Sequence, residues 1–351
     1  MQQRNRLFEQ YERWREAGHR MVLAVVTATA GSTYSKAGDF MLLAEHGQFQ
    51  GLLSGGCVEG DLALRAAEVM SGDRVAEVHY ALGDDDDALW GMGAGCEGSL
   101  TLLLVPLNEH GEFDQVLNAY RRGIPAALAI GWSEDGFALA ASVRGGEAAG
   151  GPLTALARVA LSGRSACCSR IGDQSRYAFV VLPPPRVLIL GAGADSVPLL
   201  EFGLTLGWRM TSFDHRPAYI EALPIQDIET YTAPAESLAA TVALEQFDAV
   251  VIMSHHLQTD ACYLRQIAAR GSWDYVAALG PSHRRLKVLD AAGLTDDALD
   301  FVLHGPAGFD VGGREPASIG LSIMAEMHSV LAQAGKLTTP AAPREVSCPE
   351  A

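Results

Sequence analysis

Three features are missing from the sequence, and each absence excludes a class of protein. Lys and Arg number 26 against 42 Asp and Glu, a net charge of −16, which argues against nucleic-acid binding and against docking on an anionic membrane surface. None of the six cysteines forms a C-x-x-C pair, so zinc ribbons and thioredoxin-type sites are not supported. Apolar runs such as 22–30 are too short to span a bilayer, and residues 1–20 lack the layout of a secretory signal. We therefore expect a soluble, cytoplasmic protein with reduced thiols.

The length and hydrophobicity of the chain predict two domains. It has 351 residues, of which 48% are hydrophobic, enough to bury more than one core. The stiff triplet Pro183–Pro185 is the best domain boundary. We expect an N-terminal domain over 1–182 (with a less regular segment over 108–182), a C-terminal domain over 186–336 and a mobile tail over 337–351.

The stretch 52–61, Leu-Leu-Ser-Gly-Gly-Cys-Val-Glu-Gly-Asp, predicts a strand, a tight turn and the start of a helix. Gly55 and Gly56 allow backbone N–H groups to approach a ligand closely, and Glu59 follows in the first helical turn. A thiol near a helix N-terminus lies in a positive field that favours thiolate. Cys57 is therefore a candidate soft metal ligand or nucleophile; the alternative is a small buried cysteine beside a structural turn.

A second glycine-rich turn, 91–98, contains Cys96 and precedes a strand that ends at Pro106. Two such turns in one small domain suggest that Cys57 and Cys96 face a shared pocket. The alternative is two independent tight turns.

The C-terminal half carries a dinucleotide-binding pattern. A β-branched strand over 186–190 leads into Gly191-Ala-Gly193, then a helix and a second strand that ends at Asp214. In this layout the glycines form the turn and admit a phosphate, and the acid binds a ribose hydroxyl. Ser196 at the third motif position weakens the fingerprint. The sequence predicts an α/β fold: a C-terminal Rossmann-like, doubly wound parallel sheet, preceded by an N-terminal α+β domain with cysteine-bearing glycine turns.

Two further polar segments follow predicted strands, where an open parallel sheet places its ligand. His255 and His256 end one strand, and because neighbours on an extended chain point to opposite sides, we expect one, His255, to face the site. The alternative is that both histidines only cap the strand. A loop over 304–313, with Gly308 and Gly312, can wrap a ligand and leads into a helix opened by Pro316.

Several motifs in order resemble those of the XdhC/CoxI family, the accessory proteins of xanthine dehydrogenase and related molybdenum hydroxylases. The resemblance covers both halves of the chain. The longest segments that carry it are LLSGGCVEGDL, WGMGAGCEGSLTLLLVPL, LILGAGADSVPLL and LHGPAGFDVGGREPASIGLSIMAEM.

The resemblance implies a dimeric carrier of the molybdenum cofactor, molybdopterin. Such a protein holds the cofactor while a cysteine desulfurase supplies its terminal sulfur, then passes it to the apo molybdenum hydroxylase. By this analogy Cys57, as a metal or sulfur ligand, and Cys96 touch the cofactor, while Gly191, Gly193 and Asp214 line the Rossmann crevice. The rival hypothesis is an NAD(P)-dependent oxidoreductase, and a third is an interaction module with an empty crevice.

Overall fold

The computed structural model describes residues 1–56, 58–81, 98–107, 111–146, 150–337 and 342–346. The chain divides into two compact units. The N-terminal unit comprises Gln3–Pro183 with Thr338–Ala351, and the C-terminal unit comprises Pro184–Leu337 with Met1–Gln2. The division thus falls inside the proline triplet.

The first sheet of the N-terminal unit is antiparallel, with the strand order β3-β2-β1-β5-β4. Its central strand begins with six buried residues, because both faces of the sheet are covered. The described elements are α1 (Gln2–Glu16), β1 (Met21–Gly31), β2 (Phe40–Ala44), β3 (Phe49–Gln50), α2 (Glu59–Gly72), β4 (Ala76–Ala81) and β5 (Gly98–Pro106).

A second sheet is built from the segment for which the sequence predicts less regular structure. Strands β8, β9, β6 and β7 follow one another across it and pair antiparallel. Tyr177 connects the two sheets of this unit, because its hydroxyl donates to the Val26 carbonyl oxygen at 2.9 Å. The elements are α3 (Gly111–Arg121), β6 (Ala126–Ser133), β7 (Gly136–Val143), α4 (Pro152–Gly163), β8 (Cys167–Ile171) and β9 (Gln174–Val181).

The C-terminal unit contains six parallel strands in the order β12-β11-β10-β13-β14-β15. The chain starts in the middle, winds outwards and returns past its start, so the connections after β10 and β13 diverge and leave a crevice between them. The elements are β10 (Arg186–Leu190), α5 (Ser196–Thr205), β11 (Arg209–Asp214), α6 (Pro217–Glu221), β12 (Glu229–Thr232), α7 (Leu238–Thr241), β13 (Ala249–Ile252), α8 (Leu257–Arg270), β14 (Tyr275–Ala278), α9 (Ser282–Ala292), β15 (Leu303–His304) and α10 (Pro316–Gln333).

This architecture confirms the predicted fold class, a doubly wound parallel sheet in one domain and α+β structure in the other. The helix that the sequence predicts to open at Pro316 is α10, and its residues Ile323 and Met327 are fully buried. Short 3₁₀ turns complete the described chain at Glu45–Gly47, Ala235–Ser237, Leu244–Gln246 and Asp296–Ala298.

Part of the tail has regular structure. The strand β16 (Arg344–Glu345) pairs in parallel with β8, and the Arg344 N–H donates to the Ala166 carbonyl oxygen at 3.0 Å. The sequence predicts a mobile tail here, because a Pro- and Thr-rich segment offers no apolar periodicity. The edge of β8 supplies backbone partners that do not depend on such a pattern.

Candidate functional site

The turn after β10 contains two glycines in different surroundings. Gly191 is tightly packed, and Gly193 is open. Gly191 has φ +127°, and a Cβ there would lie 2.5 Å from the Met253 carbonyl oxygen, so no side chain fits. A Cβ on Gly193 would meet no protein atom within 4 Å. Ser196 is fully buried and donates its hydroxyl to the Gly193 carbonyl oxygen at 2.7 Å, which explains how serine fills the third motif position. The turn therefore leaves its backbone open at Gly193, beside the N-terminus of α5.

Asp214, at the end of β11, is fully buried, and its carboxylate accepts hydrogen bonds from nearby residues of the same domain. Its Oδ1 accepts from the backbone N–H and Nε of Arg216, both at 2.9 Å, and its Oδ2 accepts from the Ala192 N–H and Arg216 Nη2, both at 2.8 Å. Burial raises the pKa of this carboxyl, but the hydrogen bonds from Arg216 and Ala192 outweigh burial and lower the pKa below its ordinary value.

A carboxylate offers about four acceptor positions, and these four donors take them. In this conformation Asp214 therefore locks the glycine turn to Arg216, and the ribose contact expected from the sequence would require Arg216 to move. The sequence pattern identified the acid but gave no sign of the part played by the arginine.

A pocket of about 590 Å³ adjoins the glycine turn. Its walls come from the first turns of α5 and from α6, and they are mostly apolar. Tyr219 lines this pocket, and the Arg216 guanidinium carbon lies 3.6 Å from the centroid of its ring. A mostly apolar pocket beside backbone N–H groups at a helix N-terminus is chemically suited to a flat ring and an anionic group. The lining includes Gly193, Val197, Pro198, Tyr219, Leu223 and Pro224.

The two adjacent histidines diverge. His255 has φ +62°, and its Nε2 lies 3.1 Å from Asp195 Oδ2, so this pair joins the turns after β13 and β10 across the mouth of the crevice. His256 instead caps α8, where its Nδ1 accepts from the Thr259 N–H at 3.4 Å. The structure thus places His255 at the crevice and leaves His256 in a capping position.

In the N-terminal unit, Glu59 holds the glycine turn in place through hydrogen bonds. The side chain is 2% exposed, and its Oε1 accepts from the Leu53 and Ser54 N–H groups at 3.1 and 2.9 Å, while Oε2 accepts from Ser54 Oγ at 2.6 Å. Ser54 Oγ in turn accepts from the Gly56 N–H at 3.2 Å. Burial raises the Glu59 pKa, but the hydrogen bonds from Ser54 and Leu53 outweigh it, so the pKa lies below its usual range.

A side chain added at Gly55 or Gly56 would meet nothing within 4 Å, so the surface of this turn is open. Glu59 is therefore placed to hold the turn, and its predicted contact with a cofactor stays a prediction. Cys57 and Cys96 lie outside the described residues. Their shared pocket and a metal ligand at Cys57 stay predictions.

Gly308 and Gly312 lie on the loop before α10 and differ in the same way as the first glycine pair. Gly308 has φ +91°, and a Cβ there would lie 2.6 Å from the Ile323 nitrogen, whereas one on Gly312 would meet nothing within 4 Å. The Gly308 N–H donates to Glu326 Oε2 at 2.9 Å. Sequence reasoning missed Glu326; the signal for it was a lone acid on the apolar stripe of α10.

The structure gathers Gly191, Gly193, Asp214 and His255 around the crevice between β10 and β13. Gly55, Gly56 and Glu59 form a separate turn in the other unit. Among the described residues, no three His, Cys, Asp or Glu side chains form a group able to hold a metal ion, and no helix is both long and apolar enough to cross a bilayer.

Six parallel strands in this order, with an open glycine turn before a helix at the crevice, define a Rossmann-type domain joined to an α+β domain. Comparison with known families agrees. The XdhC Rossmann domain matches residues 187–327, and the XdhC and CoxI family model matches residues 14–81, together more than half of the chain. The chain belongs to the XdhC/CoxI family, as the sequence motifs indicate.

Three relatives are similar over most of their length. A Bacillus subtilis protein described as a probable xanthine dehydrogenase subunit is 29% identical, over 87% of this chain and 92% of its own. The molybdenum cofactor insertion chaperone PaoD from Escherichia coli is 24% identical, over 90% of this chain and 84% of its own. A crystal structure described as a xanthine dehydrogenase from Bacillus halodurans superposes with a TM-score of 0.74 at 26% identity, over 95% of this chain and 98% of that one.

Proposed function

We propose that this protein is a maturation factor for a molybdenum hydroxylase. It holds the molybdenum cofactor while the terminal sulfur is added, then delivers it to a xanthine dehydrogenase-type enzyme. The observation that carries the proposal is the open glycine turn beside an apolar pocket of about 590 Å³. Molybdopterin has the matching parts, a phosphate and a flat heterocycle, and the name of the related insertion chaperone supports this choice of cargo.

The residues of the C-terminal unit fit such a cargo by their chemistry. Backbone N–H groups around Gly193 and the N-terminus of α5 favour a phosphate, and the Tyr219 side of the pocket favours a flat ring. Asp214 and Ser196 hold this turn in shape from behind. The two cysteine turns predicted in the N-terminal domain would supply soft sulfur ligands for a molybdenum–sulfur group.

The proposed partners follow from this role. The apo hydroxylase receives the cargo, a cysteine desulfurase supplies the sulfur, and the carrier acts as a homodimer in the cytoplasm. We propose no nucleic-acid or membrane partner, because the chain carries a net charge of −16.

The test is mass spectrometry of bound pterin and molybdenum in protein purified from a molybdopterin-producing host. Gly193→Ala should lower occupancy because its methyl group would occupy the phosphate approach, whereas it fills open space in the protein itself. Gly72→Ala is the matched control, since a Cβ there also meets nothing within 4 Å. Cys57→Ala should lower occupancy or abolish rescue of an apo hydroxylase. Wild-type protein without pterin, or equal occupancy in Gly193→Ala, would overturn this account.

An NAD(P)-dependent oxidoreductase is the alternative. In such an enzyme the acid at this position accepts from a ribose hydroxyl. Here Arg216 and Ala192 donate to all four acceptor positions of Asp214. Fluorescence titration with NADH separates the two functions. Micromolar binding with substrate-dependent oxidation would favour the oxidoreductase.

A further inference from the structure

Asp195 is the residue directly before α5, a position where an aspartate usually caps the helix. Its side chain would accept from the N–H of the second or third helical residue. The third is Pro198, which has no N–H, so Val197 is the donor that remains. The Val197 N–H makes a long contact, 3.4 Å, with the Ala194 carbonyl oxygen. A capping donor is therefore at hand, yet in the described part of the chain the Asp195 carboxylate does not take it.

The Asp195 carboxylate is held instead by His255, in the turn after β13. The imidazole Nε2 lies 3.1 Å from Asp195 Oδ2. A carboxylate ion only accepts hydrogen bonds, so this ring nitrogen carries a proton and donates it. The side chain of Asp195 is 30% exposed and that of His255 55%, so the pair lies at the surface of the crevice. A ligand that enters the crevice can therefore reach the acid and compete with it.

The backbone of His255 is fixed in a conformation that histidine rarely adopts. Its φ of +62° lies in the left-handed region, where a side-chain-bearing residue persists only if its surroundings hold it. Ser254, before it, donates its N–H to Asp260 Oδ1 at 3.1 Å. His256, after it, donates its N–H to Ser254 Oγ at 3.3 Å. The imidazole is therefore aimed by the fold as well as by its partner.

The pair adjoins the pocket that we assign to the cargo. In the chain Asp195 lies between Ala194 and Val197, and both of these residues line that pocket. The turn that carries His255 touches the glycine turn, since a Cβ on Gly191 would lie 2.5 Å from the Met253 carbonyl oxygen. The N-terminus of a helix attracts a negative group, so an acid that caps α5 would compete there with a phosphate.

We propose that His255 is a positioning residue that keeps the Asp195 carboxylate off the N-terminus of α5, so that the phosphate of the cargo binds there. The acid then has two arrangements. In the open one it is paired with His255, and in the closed one it caps α5 through the Val197 N–H. The inference rests on the proposed function for its ligand, and it gives His255 a part in binding that needs no contact with the cargo.

His255→Gly should shift Asp195 to the closed arrangement, because glycine keeps the left-handed backbone and removes the donor. A cap of ordinary strength must then be broken before a phosphate enters. We therefore expect the apparent dissociation constant for molybdopterin to rise about fivefold.

Asp195→Ala removes the competing acid and a negative charge near the phosphate, so it should bind molybdopterin about threefold more tightly than the wild type. In this background His255→Gly should have no further effect. A direct contact between His255 and the cargo would instead cost affinity in both backgrounds, so the double variant separates the two roles.

The test measures molybdopterin binding by ultrafiltration and, without ligand, amide hydrogen exchange at Val197 by NMR. His255→Gly should slow this exchange about fivefold, and the double variant should return it to the wild-type rate. His46→Gly is the matched control, because His46 is also exposed and has φ +67°. It should change neither readout.

Each outcome decides a separate point. Unchanged exchange at Val197 in His255→Gly would overturn the positioning role. Slower exchange with unchanged molybdopterin binding would overturn the competition between acid and phosphate. Weaker binding that persists in the double variant would point to a direct contact by His255 and overturn the proposal. Wild-type protein that binds no molybdopterin would overturn the proposed function, while the exchange measurement would still decide whether His255 positions Asp195.

Discussion

Glu59→Ala tests whether one buried carboxylate holds the glycine turn of the N-terminal unit. The substitution leaves the Leu53 and Ser54 N–H groups, which now donate to Oε1 at 3.1 and 2.9 Å, without an acceptor. A buried donor left unpaired costs about 1–3 kcal/mol. We therefore expect the free energy of unfolding of this unit to fall by about 3 kcal/mol, and its melting temperature to fall by roughly 6–12 °C.

Glu59→Gln should cost less, about 1 kcal/mol, because the amide oxygen can still accept from both backbone N–H groups. The substitution removes the negative charge and the acceptor for the Ser54 hydroxyl. Ser54 Oγ itself accepts from the Gly56 N–H. Glu68→Gln, an exposed site on the same helix, is the control and should change the free energy by less than about 0.5 kcal/mol.

Calorimetry that resolves the two units, with hydrogen exchange at Leu53 and Ser54, provides the measurement. The lowered pKa of Glu59 also fixes the sign of the pH dependence. The stabilisation is complete above the unfolded pKa of about 4.3 and is lost as pH falls through the lower folded pKa. The wild type and Glu59→Gln should therefore converge in acid. Equal stability of Glu59→Ala, Glu59→Gln and the wild type at neutral pH would refute the reasoning.

Three further outcomes concern the C-terminal unit. Gly191→Ala should lower its unfolding free energy by about 3 kcal/mol in thermal melts, because the Cβ would lie 2.5 Å from the Met253 oxygen at positive φ, whereas Gly193→Ala should cost under about 1 kcal/mol. Asp214→Asn should be destabilising at neutral pH and should approach the wild type as pH falls below about 4, since the lowered pKa of Asp214 confines its contribution to higher pH; melts across pH check this. Asp260→Ala should cost about 3 kcal/mol in denaturant titration, because a buried serine N–H and an arginine lose their acceptor.

The fold of the C-terminal unit could be predicted from the sequence because the residues that indicate it lie close together in the chain. A β-branched strand, two glycines and an acid at the end of the next strand fall within about thirty residues, and the structure has all of them in place. The hydrogen bonds between Asp214 and Arg216 could not be predicted from the sequence. An Asp and an Arg two positions apart are equally compatible with an Asp whose carboxylate faces the ligand.

The second sheet of the N-terminal unit shows why structure that depends on residues far apart in the chain was not predicted. Strand β8 contains two cysteines, a serine and an arginine, and its pattern has no clear period. Its stability comes from β9 on one side and from β16, more than 170 residues later in the chain, on the other. Glu326 was missed for a similar reason, since Gly308, whose N–H it accepts from, lies outside α10.

The pairing of Arg344–Glu345 with β8 has a practical consequence for anyone who handles this protein. Removing these residues would strip a neighbour from one side of a strand that carries Cys167 and Cys168, and would leave its amide and carbonyl groups ready to recruit a strand from another molecule. Versions that lack these two residues should therefore self-associate more readily in storage.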